Sequence, residues 1–80
     1  MVLQILAFGI AKDIFGARQI NFVVPSQCTV ETMKDLLEER FPALKRLATY
    51  AVAINEVYAV PAQYLQEKDE VAIIPPVSGG

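Results

Sequence analysis

The sequence contains no histidine and no tryptophan, and its 80 residues include a single cysteine, Cys28. Without histidine there is no imidazole for acid–base schemes or catalytic triads, and one thiol makes no zinc-ligand spacing. No metal site is expected. A lone cysteine also forms no internal disulfide, so the fold does not rest on the cross-links that small secreted domains use. Cys28, just ahead of a helix start, reads as small apolar filler or an exposed thiol. Positive charge is scarce as well: seven Lys and Arg stand against nine Asp and Glu, for a net charge of −2. That leaves no basic stripe for a phosphate backbone, and nucleic acid is a poor candidate partner. The carboxylates fall in runs, Glu38-Glu39 and Glu67-Lys68-Asp69-Glu70, which mark solvated faces and turns rather than a catalytic pair. No apolar run approaches the roughly 20 residues of a membrane-spanning helix. The start, Met1-Val2-Leu3-Gln4, has neither the basic opening nor the cleavage pattern of an export signal, so no membrane association and a cytoplasmic location are expected.

What the sequence does have is apolar surface. At 54% apolar residues in an 80-residue chain, there is more than one small core absorbs, and part of it is expected to form a docking patch. The length supports one domain and leaves little room for a private active-site cleft. Val2 to Phe8 is a short apolar run closed by Gly9, read as a strand with Leu3, Ile5 and Ala7 on one face and Gln4, Leu6 and Phe8 on the other. Ile10 to Phe15, ended by Gly16, suits one or two helical turns. Arg18 to Val24 alternates, with Ile20, Phe22 and Val24 opposite Gln19, Asn21 and Val23, and pairs with the first strand through a long-looped hairpin.

Thr29 is placed to cap a helix carrying Val30, Met33, Leu36, Leu37, Phe41 and Leu44 on one stripe. Pro42 stops it near Arg40, and Ala43 to Leu47 form a short helical or turn piece. Ala51 to Ile54 and Val57 to Val60 flank Asn55-Glu56 as a tight hairpin. Pro61 to Leu65 is a connecting turn, and Glu70 to Ile74 the last strand, with Val71 and Ile73 inward and Ala72 and Ile74 outward. One helix on one face of one mixed sheet is the ubiquitin-like β-grasp arrangement, an α+β fold covering residues 1–74. A single helix covers a single sheet face, so the other meets solvent or a partner. First and last strands are neighbours in a β-grasp sheet, which gathers Leu6, Phe8 and Ile74 into one apolar patch. The plainer alternative is apolar residues scattered singly over the surface.

Residues 75–80 form an extended tail. Neither Pro75 nor Pro76 has an amide hydrogen, so the ladder ends there, and two prolines favour a stiff polyproline II exit. Val77, Ser78, Gly79 and Gly80 follow. Glycines lack Cβ, so such an end threads a narrow channel and its carbonyl carbon is open to attack. A frayed end without a role is the plainer explanation. The chemistry the tail permits is carboxyl activation. A terminal carboxyl, whose ordinary pKa is about 3.3 to 3.7, attacks ATP on an adenylating enzyme, and a sulfur donor then displaces AMP to leave a thiocarboxylate. The domain itself supplies no general acid or base and binds no cofactor; ATP belongs to the activating enzyme.

The segments LAFGIAKDIFG, TVETMKDLLEERFP, AVAINEVYAV and above all DEVAIIPPVSGG resemble the molybdopterin synthase small subunit over essentially the whole chain. The terminal motif is specific where Gly-Gly alone is not. The resemblance implies a thiocarboxylate on Gly80, an adenylating enzyme and a sulfur donor protein as partners, and insertion of the tail into the large synthase subunit. Sulfur would pass there to cyclic pyranopterin monophosphate in molybdenum cofactor biosynthesis, within a heterotetramer of two small and two large subunits. By position, Phe8, Lys12 and Ile74 would face the large subunit, although the family carries an aromatic where this chain has Ile74. A sulfur carrier for thiazole or tRNA thiolation, or a ubiquitin-like protein modifier, shares the fold and the Gly-Gly and differs in partners. Outside that class stands a plain interaction domain.

Overall fold

The computed structural model describes residues 1–47 and 49–76. Strand β1 (Val2–Ala7) alternates as its sequence requires, with Leu3 and Ile5 fully buried and Gln4 exposed. It stops one residue earlier than the apolar run because Gly9 turns the chain at φ +55, a conformation that favours glycine. A short helix α1 (Ile10–Phe15) follows and ends at Gly16, whose φ of 77 is left-handed and whose amide donates to the Lys12 carbonyl at 2.9 Å. Strand β2 (Gln19–Val23) runs back antiparallel to β1, placing Ile5 opposite Ile20 and Leu3 opposite Phe22. The residues flanking it, Arg18 and Val24, still bond to β1 in the same register: the Ala7 amide donates to the Arg18 carbonyl at 2.8 Å and the Val24 amide to the Met1 carbonyl at 2.9 Å.

Helix α2 (Val30–Arg40) has every first-turn amide satisfied. Val30 donates to the Gln63 carbonyl, Glu31 to that of Pro61, Thr32 to Thr29 Oγ1, and Met33 to the Thr29 carbonyl. The 61–65 loop therefore answers the orphan donors that any helix start presents, and no free anion site remains there. The helix lays Val30, Met33 and Leu37 against the sheet. It ends at Phe41, before Pro42, and a 3₁₀ turn (Pro42–Arg46) buries Leu44. Phe41 meets Phe15 of α1 with ring centroids 4.7 Å apart, which ties the two helices together.

Strands β3 (Ala51–Ile54) and β4 (Val57–Tyr58) form the expected hairpin. Asn55 and Glu56 both take positive φ, 52 and 70, as a two-residue turn matched to strand twist requires. The hairpin is shorter than its apolar sequence suggests, β4 ending at Tyr58 rather than Val60. Strand β5 (Glu70–Ile74) lies between β1, to which it is parallel, and β3. The sheet order is β2-β1-β5-β3-β4, and with α2 across one face this is the ubiquitin-like β-grasp fold.

Cys28 lies within the core at 2% exposure, its thiol donating to the Thr29 carbonyl at 3.3 Å. Burial raises its pKa, and the positive N-terminus offsets this only in part. Buried and protonated, it is poorly placed to react. In the folded protein a thiol-directed alkylating reagent is expected to modify Cys28 on the order of 100-fold more slowly than in urea. Equal rates by mass spectrometry would contradict this packing.

Candidate functional site: the open sheet face and the tail exit

The helix-free face is built by the residues that alternate away from the core. Register sets them in rows: Leu6 faces Ala72 across β1 and β5, Ala72 faces Ala53, and Ala53 faces Tyr58. One step along, Ile74 faces Ala51. The two alanines leave a shallow trough, and Leu6, Phe8, Tyr58 and Ile74 stand around it as apolar walls. Phe8 is 51% and Tyr58 71% exposed, which is large apolar area left in water on a small domain.

The register of β5 decides that this face exists in this form, and it is pinned at the strand's start. The Asn55 amide donates to the Glu70 carbonyl at 2.9 Å, Asn55 Oδ1 accepts from the Glu70 amide at 3.0 Å, and Asn55 Nδ2 donates to Asp69 Oδ1 at 3.0 Å. The other Asp69 oxygen accepts from the Gln66 amide at 2.8 Å. A one-residue slip would turn every β5 side chain over. These bonds oppose it, and hold Val71 and Ile73 fully buried and Ala72 and Ile74 on the open face.

At the finishing end of β5 the chain leaves the sheet through Pro75 and Pro76. Pro75 packs against Gly9 so closely that a Cβ there would meet its ring at 3.3 Å. On the other side Thr49, Tyr50 and Tyr58 border the two prolines. Tyr58 and Ile74 belong to both surfaces, so the trough runs without a break into the tail exit. Toward β1 it extends past Phe8 to Gly9, Lys12 and Arg18. Of the residues singled out in the sequence, Leu6, Phe8, Lys12, Ile74, Pro75 and Pro76 are thus brought together on one surface. Val77, Ser78, Gly79 and Gly80 lie outside the described residues. Sequence reading missed Ala53, Tyr58, Gly9 and Arg18; the tight Asn55-Glu56 turn was the available signal for the Ala53–Tyr58 pair.

Beside the exit, the Tyr50 hydroxyl donates to Glu38 Oε2 at 2.5 Å, and Lys34 Nζ lies 4.7 Å from its ring centroid. Burial, then the hydrogen bond to Glu38, then the charges of Glu38 and Asp35 raise the Tyr50 pKa well above the usual tyrosine range. The protonated form is the one that folding favours, so this contribution is complete below the unfolded value of about 10 and is lost as pH rises through the higher folded value. Tyr50→Phe is expected to lower stability by about 1 kcal/mol at pH 7. The gap to wild type should narrow on raising the pH beyond about 10, as urea unfolding of both proteins would show. A gap that widened there would contradict the sign.

Among the described residues no helix is long and apolar enough to cross a membrane, and no group of three or more His, Cys, Asp or Glu side chains could hold a metal ion. The arrangement offers a face to dock on and an exit for a chain end.

Three comparisons bear on this geometry. The sequence model of the ThiS family matches residues 5–80. The chain is 35% identical over 79 residues to the molybdopterin synthase sulfur carrier subunit of Arabidopsis thaliana, covering 98% of this chain and 82% of that protein. The crystal structure of SAMP1 from Haloferax volcanii superposes with a TM-score of 0.85 at 27% identity, over 100% of both chains.

Proposed function

Since the chain belongs to the ThiS family, we propose that it is the sulfur-carrier subunit of a molybdopterin synthase, with Gly80 as the carried acyl end. An adenylating enzyme would join the Gly80 carboxylate to the AMP portion of ATP, releasing pyrophosphate. A sulfide equivalent from a donor protein would then attack the acyl carbon and expel AMP, leaving a thiocarboxylate. The tail, Pro75 to Gly80, would enter the large synthase subunit, and the terminal sulfur would pass to cyclic pyranopterin monophosphate. Leu6, Phe8, Lys12 and Ile74 would face that subunit.

The observation that carries this reading is the continuity of surface. Strand β5 supplies Ala72 and Ile74 to the apolar trough and passes directly into Pro75-Pro76, four residues short of Gly80. A partner seated on the trough would receive the tail in a fixed direction, and positioning of this kind supplies much of what catalysis needs. The likeness to the Arabidopsis thaliana sulfur carrier subunit, which spans most of both chains, supports the choice of pathway.

Intact mass spectrometry of protein purified from its own host tests the carrier role: one oxygen-to-sulfur exchange localised to Gly80 is expected, and its absence under conditions of active cofactor synthesis would overturn it. Capture of partners decides the pathway. Recovery of a large molybdopterin synthase subunit is expected, whereas exclusive recovery of a thiazole synthase or a tRNA thiolase would replace this reading.

A further inference from the structure

The trough is apolar in the middle and charged at its ends, with opposite signs. At the finishing end of β1, beside Gly9 and the tail exit, it is bordered by Lys12 and Arg18. At the starting end of β5 it is bordered by Glu70 and by Glu56 of the hairpin turn. All four residues are exposed. Asp13, next to Lys12 in sequence, does not line the trough. The strands fix the separation: β1 and β5 are parallel, with Gln4 beside Glu70 and Ala7 beside Ile73. Four residues along β5, at about 3.3 Å each, put the ends about 13 Å apart. That exceeds the Debye length of about 8 Å at physiological ionic strength, so a partner meets two separate charged ends and not a cancelled pair.

We infer that this dipolar trough selects and orients its occupant: the docking partner carries an apolar ridge with carboxylates facing Lys12 and Arg18 and basic side chains facing Glu56 and Glu70. The inference rests on the docking role proposed above and specifies its chemistry. A reversed approach would set like charges together at both ends, at the cost of affinity and of encounter rate. The correct approach places the positive end of the trough where the tail leaves, so the partner's acidic side lies next to the channel that receives the tail.

The test is the association rate with the large synthase subunit, read by stopped flow at low and high salt. The double variants Lys12→Glu/Arg18→Glu and Glu56→Lys/Glu70→Lys change the net charge in opposite directions. If net charge governed association, one would speed it and the other slow it. If the two ends govern it, both slow it by about tenfold or more at low salt, converging on wild type at high salt. The fourfold swap, which preserves the net charge of −2, should be the slowest. Neutral Gln versions of each pair should fall between wild type and the reversals, and thermal melts identify any variant that loses its fold. Wild-type rates in both double variants, or opposite shifts, would overturn the inference while leaving the carrier reading intact. Failure of the wild-type chain to bind the large subunit would instead bring down the reading on which it rests.

Discussion

Deleting Gly80, or converting its carboxyl to an amide, is expected to abolish sulfur loading and dithiolene formation while leaving the melting curve unchanged. The chemical half follows from what an acyl adenylate needs. The nucleophile toward ATP is the carboxylate oxygen, an anion of the kind a terminal carboxyl ordinarily carries at cellular pH; an amide has no such anion. Deletion leaves a carboxylate on Gly79, one residue short, and a reach error of one residue, about 3.3 Å or more of extended chain, is large against the sub-ångström positioning that group transfer requires. Rate losses of at least about 10³-fold are expected from either change. The structural half follows from the core. Among the described residues every fully buried side chain belongs to residues 3–73, and β5 closes its ladder at Ile74, so the described core and ladder lie wholly before the altered residue. Intact mass spectrometry after incubation with the activating enzyme, ATP and a sulfur donor reads the first half, and thermal melting the second. Normal loading of the amide form would refute the carrier role, and unfolding on deletion of Gly80 would show that the tail acts on the fold.

Much of this geometry is legible in the sequence because it is set locally. The alternation in Val2–Ala7 and Glu70–Ile74 separates inward from outward residues without knowledge of any partner strand. Thr29 as a cap and Pro42 as a stop bound α2 as read, because both act within one turn. What was not legible is set at a distance. That Ala53 sits between Tyr58 and Ala72 depends on two registers, one of them between strands separated by residues 55–69. The bonds from Asn55 to Asp69 and Glu70 that fix it link residues 14 and 15 positions apart. Beyond Tyr58 one more bond continues the register, from the Ala59 amide to the Val52 carbonyl at 2.9 Å, and Val60 past it is left 62% exposed despite its strand-forming side chain. Lys12 entered the site through family resemblance alone, and its neighbour there, Arg18, comes from the far side of the Gly16 turn. Only the folded hairpin brings the two to one groove.

The sharpest consequence of the β5 register concerns two adjacent isoleucines. Ile73 is fully buried under α2, and Ile74, its neighbour, is half-buried on the open face. Truncating Ile73 to alanine removes core contacts and leaves a cavity, at a cost of about 3 kcal/mol. A domain of 80 residues has roughly 4 to 12 kcal/mol of total stability at about 0.05 to 0.15 kcal/mol per residue. Ile73→Ala should therefore lower the melting temperature by about 12 to 24 °C and affect binding only through loss of folded protein. Ile74→Ala should shift melting by a few degrees at most, since its side chain already keeps part of its area in water. Its effect should fall instead on association with the large synthase subunit. There Ile74 stands at the junction of trough and tail exit, and truncation of a central anchor is worth about 1.4 to 2 kcal/mol, or roughly 10- to 30-fold in Kd. Calorimetric melting together with a binding isotherm on both variants makes the comparison. If Ile74→Ala binds as wild type does, the open face is not the docking surface. If Ile74→Ala melts well below Ile73→Ala, the register that separates inside from outside along β5 is wrong, because a slip of one residue exchanges their environments.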